Sequence, residues 1–206
     1  MTFFFAKKHF GMKEAVYSSL ALIGSLHFNL QMHMSVPDPY LIFFLTWALF
    51  SFYDAYKSNS RWSLLQFYFA IGCGLLTKGP ISLALSGISA VAFLLVNKDF
   101  KWKTIWRMQP FGGVLLSLMV ALPWYYQVHL ATDGLWTYEF FFKHNFSRFG
   151  DAMEGHEGIF LLTFGYVFIL GFLGVLPFVF QAVKKTIKNP AKEAQLWLIV
   201  GISVIV

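Results

Sequence analysis

Charged side chains are scarce in this sequence: Asp, Glu, Lys and Arg make up 13 % of its 206 residues, where a soluble domain carries about 25 %. That deficit, with 57 % hydrophobic and 20 % aromatic residues and a mean hydropathy of +0.60, excludes an ordinary soluble domain and defines an integral membrane protein. Cysteine is nearly missing. The single Cys73 excludes an internal disulfide, lies in an apolar run and reads as a packing residue. The N-terminus has no small-residue cleavage site, so it carries no signal-peptide pattern. Internal repeats, low-complexity tracts and linkers are also missing, so nothing divides the chain.

What is present begins with one cation. Between Trp62 and Val96 lie 35 residues among which Lys78 alone is charged. As one helix that run would reach roughly 50 Å, against a hydrocarbon layer of about 30 Å. It is therefore expected to form two spans that turn at Gly79-Pro80. Glycine accepts unusual backbone angles there, and proline ends one helix while suiting the first turn of the next. Lys78 then sits at a hairpin tip, at one membrane face.

The remaining apolar runs predict an all-α, polytopic transmembrane bundle. A helix stub at Phe3–Phe5 is followed by the polar turn Lys7-Lys8-His9-Phe10-Gly11. Further spans are expected over 15–32 and 40–53, then the two arms of the hairpin, then 111–128 and 159–183. That makes six full spans, with a seventh beginning at 196 and too short to cross. The chain is accordingly expected to be a fragment, with truncated helices at both ends, and 1–206 to be part of one transmembrane domain.

Cations sort cleanly on this scheme. The loops holding Lys7, Lys57, Lys98 and Lys184 collect 13 of the 16 Lys and Arg residues against four carboxylates, a net +9. The opposite side has Lys78, Lys143 and Arg148 against six carboxylates, a net −3. The positive-inside rule makes the basic side cytoplasmic. The overall +6 is thus topogenic and faces the inner leaflet; it is not a nucleic-acid footprint.

Candidate chemistry lies on the other face. Lys78 admits two readings: an ammonium that snorkels to the headgroups, or one that binds a phosphate brought close by Gly79. Asp38, in Ser35-Val36-Pro37-Asp38-Pro39, either starts the next helix or lines an outer cavity as a carboxylate for a metal, a sugar hydroxyl or an amine. The loop 129–158 is aromatic and suits an interfacial amphipathic helix from Trp136 to Phe149. There Glu139 and Lys143 are spaced i,i+4, and so are His144 and Arg148. His27, His33 and His129 read as interface residues. His156, beside Glu154 and Glu157, lacks tight metal-ligand spacing.

Leu76-Thr77-Lys78-Gly79-Pro80, then Pro123-Trp124-Tyr125, then Phe141-Phe142-Lys143-His144-Asn145 with Arg148-Phe149 resemble, in this order, the polytopic glycosyltransferases of the C fold class that use polyprenyl-phosphate sugars. Within that group the chain looks like the bacterial lipid A aminoarabinose transferases and relatives of the protein O-mannosyltransferases. Lys7-Lys8-His9-Phe10-Gly11 and Asp38 fit the same likeness, which spans nearly the whole chain.

The resemblance implies a polyprenyl-phosphate sugar donor and a lipid or protein acceptor, in the bacterial cytoplasmic membrane with the active site on its outer face. Lys78 and Arg148 would hold the donor phosphate, Asp38 would line the catalytic cavity, and His144 would bind a divalent metal, the one cofactor implied. The chain departs from the family pattern after His156, where it has Glu157-Gly158-Ile159-Phe160. The family's catalytic carboxylate sits in the first outer loop, a region that would precede Met1, so the chain is expected to lack the base. Two other classes compete: a transporter, which would place ionisable residues near mid-membrane, and a non-catalytic membrane scaffold.

Overall fold

The computed structural model describes residues 1–141 together with Phe180 and Lys184, and every regular element among them is helical. The chain forms two compact units: Met1–Pro39 with Gly158–Val206, and Tyr40–Glu157.

The described part of the first unit holds α1 (Thr2–His9), α2 (Met12–Gly24) and α3 (Leu26–His33). Gly11, at φ +114, makes the reversal that lets α2 return against α1, and Ala15 is fully buried there. The span expected over 15–32 is interrupted. Ser25 adopts extended angles (φ −72°, ψ 119°), and its hydroxyl accepts from the Phe28 amide to start α3. The Asn29 side-chain amide donates to the Ser25 carbonyl at 2.9 Å and to that of Ile23, which the break releases. Two polar side chains inside an apolar run thus take over the work of a helical ladder.

The second unit is built from α4 (Asp38–Ser58, its first two residues counted with the first unit), α5 (Arg61–Lys78), α6 (Ile81–Val96), the short α7 (Trp102–Arg107), α8 (Pro110–Ala131) and the one-turn α9 (Leu135–Tyr138). Ser60 caps α5 by accepting from the Ser63 amide at 3.2 Å. The turn expected at Gly79-Pro80 is where α5 ends and α6 begins. α8 starts at Pro110, as a proline-led helix should, and carries Pro123 within its length. The expected limits 40–53 and 111–128 widen to Asp38–Ser58 and Pro110–Ala131. Hydropathy marks the apolar part of a helix, and the backbone ladder runs on past it.

Side-chain pairings fix the helix directions. Trp47 meets Phe69 and Phe52 meets Phe67, so α4 runs antiparallel to α5. Ser82 reaches back to the Ile71 carbonyl across the α5–α6 hairpin. Tyr68 donates to the Met108 carbonyl at 2.7 Å, Ser117 to the Tyr68 carbonyl at 2.7 Å, and Tyr125 to that of Leu75. Both partners advance together, so α8 runs parallel to α5. The backbones come close because small residues line the seam. A Cβ on Gly74 would stand 2.1 Å from Ser82 Oγ, one on Gly72 2.8 Å from Val120, and one on Gly113 2.0 Å from the Tyr68 ring. Small residues with hydroxyl-to-carbonyl bonds are how helices associate where no hydrophobic force draws them together.

One end of this unit gathers the basic turns. Arg107 donates to the Tyr56 carbonyl at 3.3 Å and lies over its ring, while the Tyr56 hydroxyl donates to Asp99 at 3.0 Å. Thr104 and Lys101 also engage Asp99. Lys78 lies at the opposite end of α5. Among the described residues, one helical stretch, Trp102–Ala131 at 30 residues, is long and apolar enough to cross a membrane; Ile81–Val96 is apolar but shorter. α4 and α5, at 21 and 18 residues, are long enough to cross, but Asp38, Asp54 and Lys57 in the first and Arg61, Gln66 and Lys78 in the second lower their hydropathy.

Candidate functional site

The far end of the second unit is organised by the last turn of α5. Thr77 Oγ1 donates to the Gly74 carbonyl at 2.7 Å, and the Gly79 amide closes the turn on the Leu75 carbonyl at 2.9 Å. Gly79 has φ +74° and ψ −147°, a region open in practice only to glycine. Pro80 follows with helical angles, and the Ala84 amide bonds to its carbonyl at 3.0 Å. Lys78, half-buried, is the basic residue of this last turn, where a cation meets the partial negative charge of the helix end.

A second segment reaches the same turn. The Tyr125 hydroxyl donates to the Leu75 carbonyl, which therefore takes two donors, one from the backbone and one from α8. Beyond Pro123 the helix continues to Ala131, and Asp133 and Gly134, both at positive φ, then reverse the chain. Thr132 Oγ1 receives the Trp136 amide, and His129 Nδ1 lies 2.9 Å from Thr137 Oγ1.

That reversal lays the third segment against Tyr125. Trp136, Phe140 and Phe141 all stand within 6.0 Å of the Tyr125 ring centre, and Trp136 stacks on Phe140 at 4.5 Å. The helix expected from Trp136 to Phe149 begins as α9 and widens into a π turn over 139–141.

The structure thus brings together Lys78, Gly79, Tyr125 and the start of the aromatic loop. Asp38 heads α4, half-buried, with Pro39 next to it, as a helix-starting carboxylate would; it belongs to the first unit. Lys143, His144, Arg148 and His156 lie outside the described residues. Among the described residues no group of three or more His, Cys, Asp and Glu side chains could hold a metal ion. Sequence reading assigned no role to Tyr125. The available signal was a phenol within an apolar helix, a group that needs a partner wherever water is excluded.

A cation-tipped hairpin beside an aromatic cluster thus stands on an all-helical frame of the membrane type. The crystal structure of ArnT from Cupriavidus metallidurans bound to undecaprenyl phosphate shares that fold, with a TM-score of 0.83 at 22 % identity, over 99 % of this chain and 37 % of that one. The chain belongs to the dolichyl-phosphate-mannose-protein mannosyltransferase family, whose model matches residues 1–126. Among its relatives, the undecaprenyl phosphate-alpha-4-amino-4-deoxy-L-arabinose arabinosyl transferase of Shewanella sediminis is 28 % identical over 201 residues, or 94 % of this chain. That of Aeromonas hydrophila is 32 % identical over 147 residues, or 69 % of this chain. The chain spans about a third or less of the length of these relatives, 35 % and 25 % respectively. The family expected from the three motif segments is the one found.

Proposed function

We propose that the protein moves a sugar from a polyprenyl-phosphate donor to a lipid or protein acceptor at the outer face of a bacterial cytoplasmic membrane, and that Lys78 holds the donor phosphate. The observation that carries this reading is the bond from Tyr125 to Leu75. It joins the hairpin tip, the Pro123-Trp124-Tyr125 segment and the aromatic loop into one place, although they are distant in sequence. Undecaprenyl phosphate, named for the ArnT structure and the arabinosyl transferases, is the donor carrier that this likeness favours.

In this reading the acceptor oxygen attacks the anomeric carbon as the bond from that carbon to the phosphate oxygen breaks. The electron pair leaves with the polyprenyl phosphate, and the acceptor proton passes to a carboxylate base. Charge grows on the leaving phosphate, and cations fixed in a poorly solvated place stabilise it. Lys78 supplies one such cation and Arg148 a second. His144 would hold a divalent metal, which would add positive charge to stabilise the leaving group. The polyprenyl tail stays in lipid, which accounts for an ammonium at membrane depth.

Multiple crossings, six in all with Lys78 outside, belong to the same proposal. The up-and-down course of α4, α5, α6 and α8 supports it, and so do the basic turns gathered at the opposite end. Transport draws no comparable support. Ser82, Ser117 and Tyr68, polar groups inside the second unit, are bonded to backbone carbonyls of neighbouring elements, and the ionisable groups sit towards the helix ends. The test is donor use by the full-length enzyme in proteoliposomes. Lys78→Ala should lower it about 10- to 150-fold, the worth of one charge-assisted contact, and Lys78→Arg should not restore it fully. Unchanged donor use in Lys78→Ala would leave Lys78 as a snorkelling residue only.

A further inference from the structure

We propose that the basic end of the second unit holds a separate phosphate site, filled by the headgroup of an anionic phospholipid. A cavity of about 210 Å³ opens where α4 passes into α5 and α7 into α8. Leu64 and Met108, both buried, form its floor, and Asn59, Arg61, Arg107 and Gln109 line its mouth. Two guanidinium-bearing residues therefore share one recess, some 18 residues of helix away from Lys78.

Neither arginine is neutralised within the described residues. Arg61 has no hydrogen bond or ion pair among them, and Arg107 donates only to the Tyr56 carbonyl, leaving most of its five N–H groups open. Asp99, which reaches the same end through Tyr56, is already engaged by the Tyr56 hydroxyl at 3.0 Å, Thr104 at 3.3 Å and Lys101 at 3.8 Å. An anion with several acceptor oxygens on one centre suits two forked donors in one recess, and a phosphate is that anion.

The surroundings identify how the phosphate is presented. Trp62 adjoins Arg61 in sequence, and Trp102, Trp106 and Phe111 flank Arg107, with Trp106 close to both of the others. All four rings are exposed, Trp102 at 72 % and Phe111 at 77 %. Exposed tryptophans beside arginines mark headgroup depth, with apolar rings towards acyl chains and N–H groups towards water. Basic recesses between helices at that depth take lipid phosphates. A soluble phosphate would need the arginines but not the ring of aromatics. Either orientation of the helices puts this end at a headgroup layer, so the site stands apart from the transfer reaction.

The test uses the full-length protein in nanodiscs, with retention of phosphatidylglycerol against phosphatidylcholine read by native mass spectrometry. Wild type should retain phosphatidylglycerol selectively, and R61Q/R107Q should lose roughly 30-fold in that preference. R61Q alone, which breaks no bond among the described residues, should lose roughly fivefold and keeps the test valid if the double variant fails to fold. Lys101→Gln/Lys103→Gln should keep the preference, since neither lysine lines the cavity. Equal loss in that control would reduce the effect to general surface charge and overturn the site. No selectivity in wild type would overturn it as well. Displacement of the lipid by inorganic phosphate at equal concentration would assign the arginines to a soluble anion instead. Sugar transfer is not the readout, so this site and the donor reading fail separately.

Discussion

The hydroxyl of Tyr125 donates to the carbonyl oxygen of Leu75, fifty positions earlier in the chain and three residues before Lys78. Through this bond α8 braces the turn that carries the cation. Because the Leu75 carbonyl also accepts the Gly79 amide, removing the phenol leaves no orphaned acceptor. Tyr125→Phe should therefore cost only about 0.5–1.5 kcal/mol of stability, read as the unfolding midpoint in detergent. Tyr125→Ala also removes the ring that Trp136, Phe140 and Phe141 surround, and should cost about 3–5 kcal/mol. Equal losses in the two variants would show that the rings contribute nothing to the brace.

The small-residue seam gives a contrast between two glycines. Gly113→Ala puts a methyl 2.0 Å from the Tyr68 ring, which is itself tied to Met108, and should destabilise by about 1–3 kcal/mol. Gly87→Ala meets nothing within 4 Å in mid-helix α6 and should be neutral or stabilising by up to about 1 kcal/mol. The same unfolding measurement checks both, and a Gly113→Ala protein as stable as wild type would contradict the close approach of α5 and α8.

Gly79→Ala tests the hairpin turn itself. Its backbone angles cost a residue with a Cβ about 1–3 kcal/mol, and relief of that strain would re-aim Lys78. Donor use should fall alongside stability. The neighbouring Leu76→Ala, at an exposed position, should leave both nearly intact.

Orientation is checked by single-cysteine labelling in a Cys73→Ser background. Cysteines at Ser58 and Asn189 should label from the cytoplasmic side, and one at Gly134 from the outside. Labelling of Gly134 only from the cytoplasm would invert the whole proposed site.

His144 and Arg148 are expected to act on one phosphate. Their losses in transfer rate should then fall short of additivity in a double-mutant cycle, because either truncation already misplaces the shared ligand. His144→Ala should blunt the response to a chelator, and Arg148→Ala should not. Additive losses with an unchanged metal response in His144→Ala would return the loop to membrane anchoring.

The turn at Gly79-Pro80 was legible because a lone cation, a glycine and a proline interrupt an apolar run too long for one crossing. The sorting of basic turns was legible because charge cannot hide in an apolar sequence. The break at Ser25 was not, since a serine in an apolar run is compatible with a helix until its hydroxyl is seen capping and Asn29 is seen holding the released carbonyl. At the site, Lys78 stood out alone. Its relation to Tyr125 is a contact across fifty positions, which neither periodicity nor composition encodes.

Asn29 carries a consequence for how this chain tolerates change. By any hydropathy measure, leucine in its place would make the segment a better candidate for insertion into lipid. Yet the Ile23 carbonyl would then lose its side-chain donor, while that of Ser25 would keep only the backbone amide of residue 29, and a bare carbonyl in hydrocarbon costs several kcal/mol. The substitution that makes the sequence look most like a membrane helix is one this helix break should refuse.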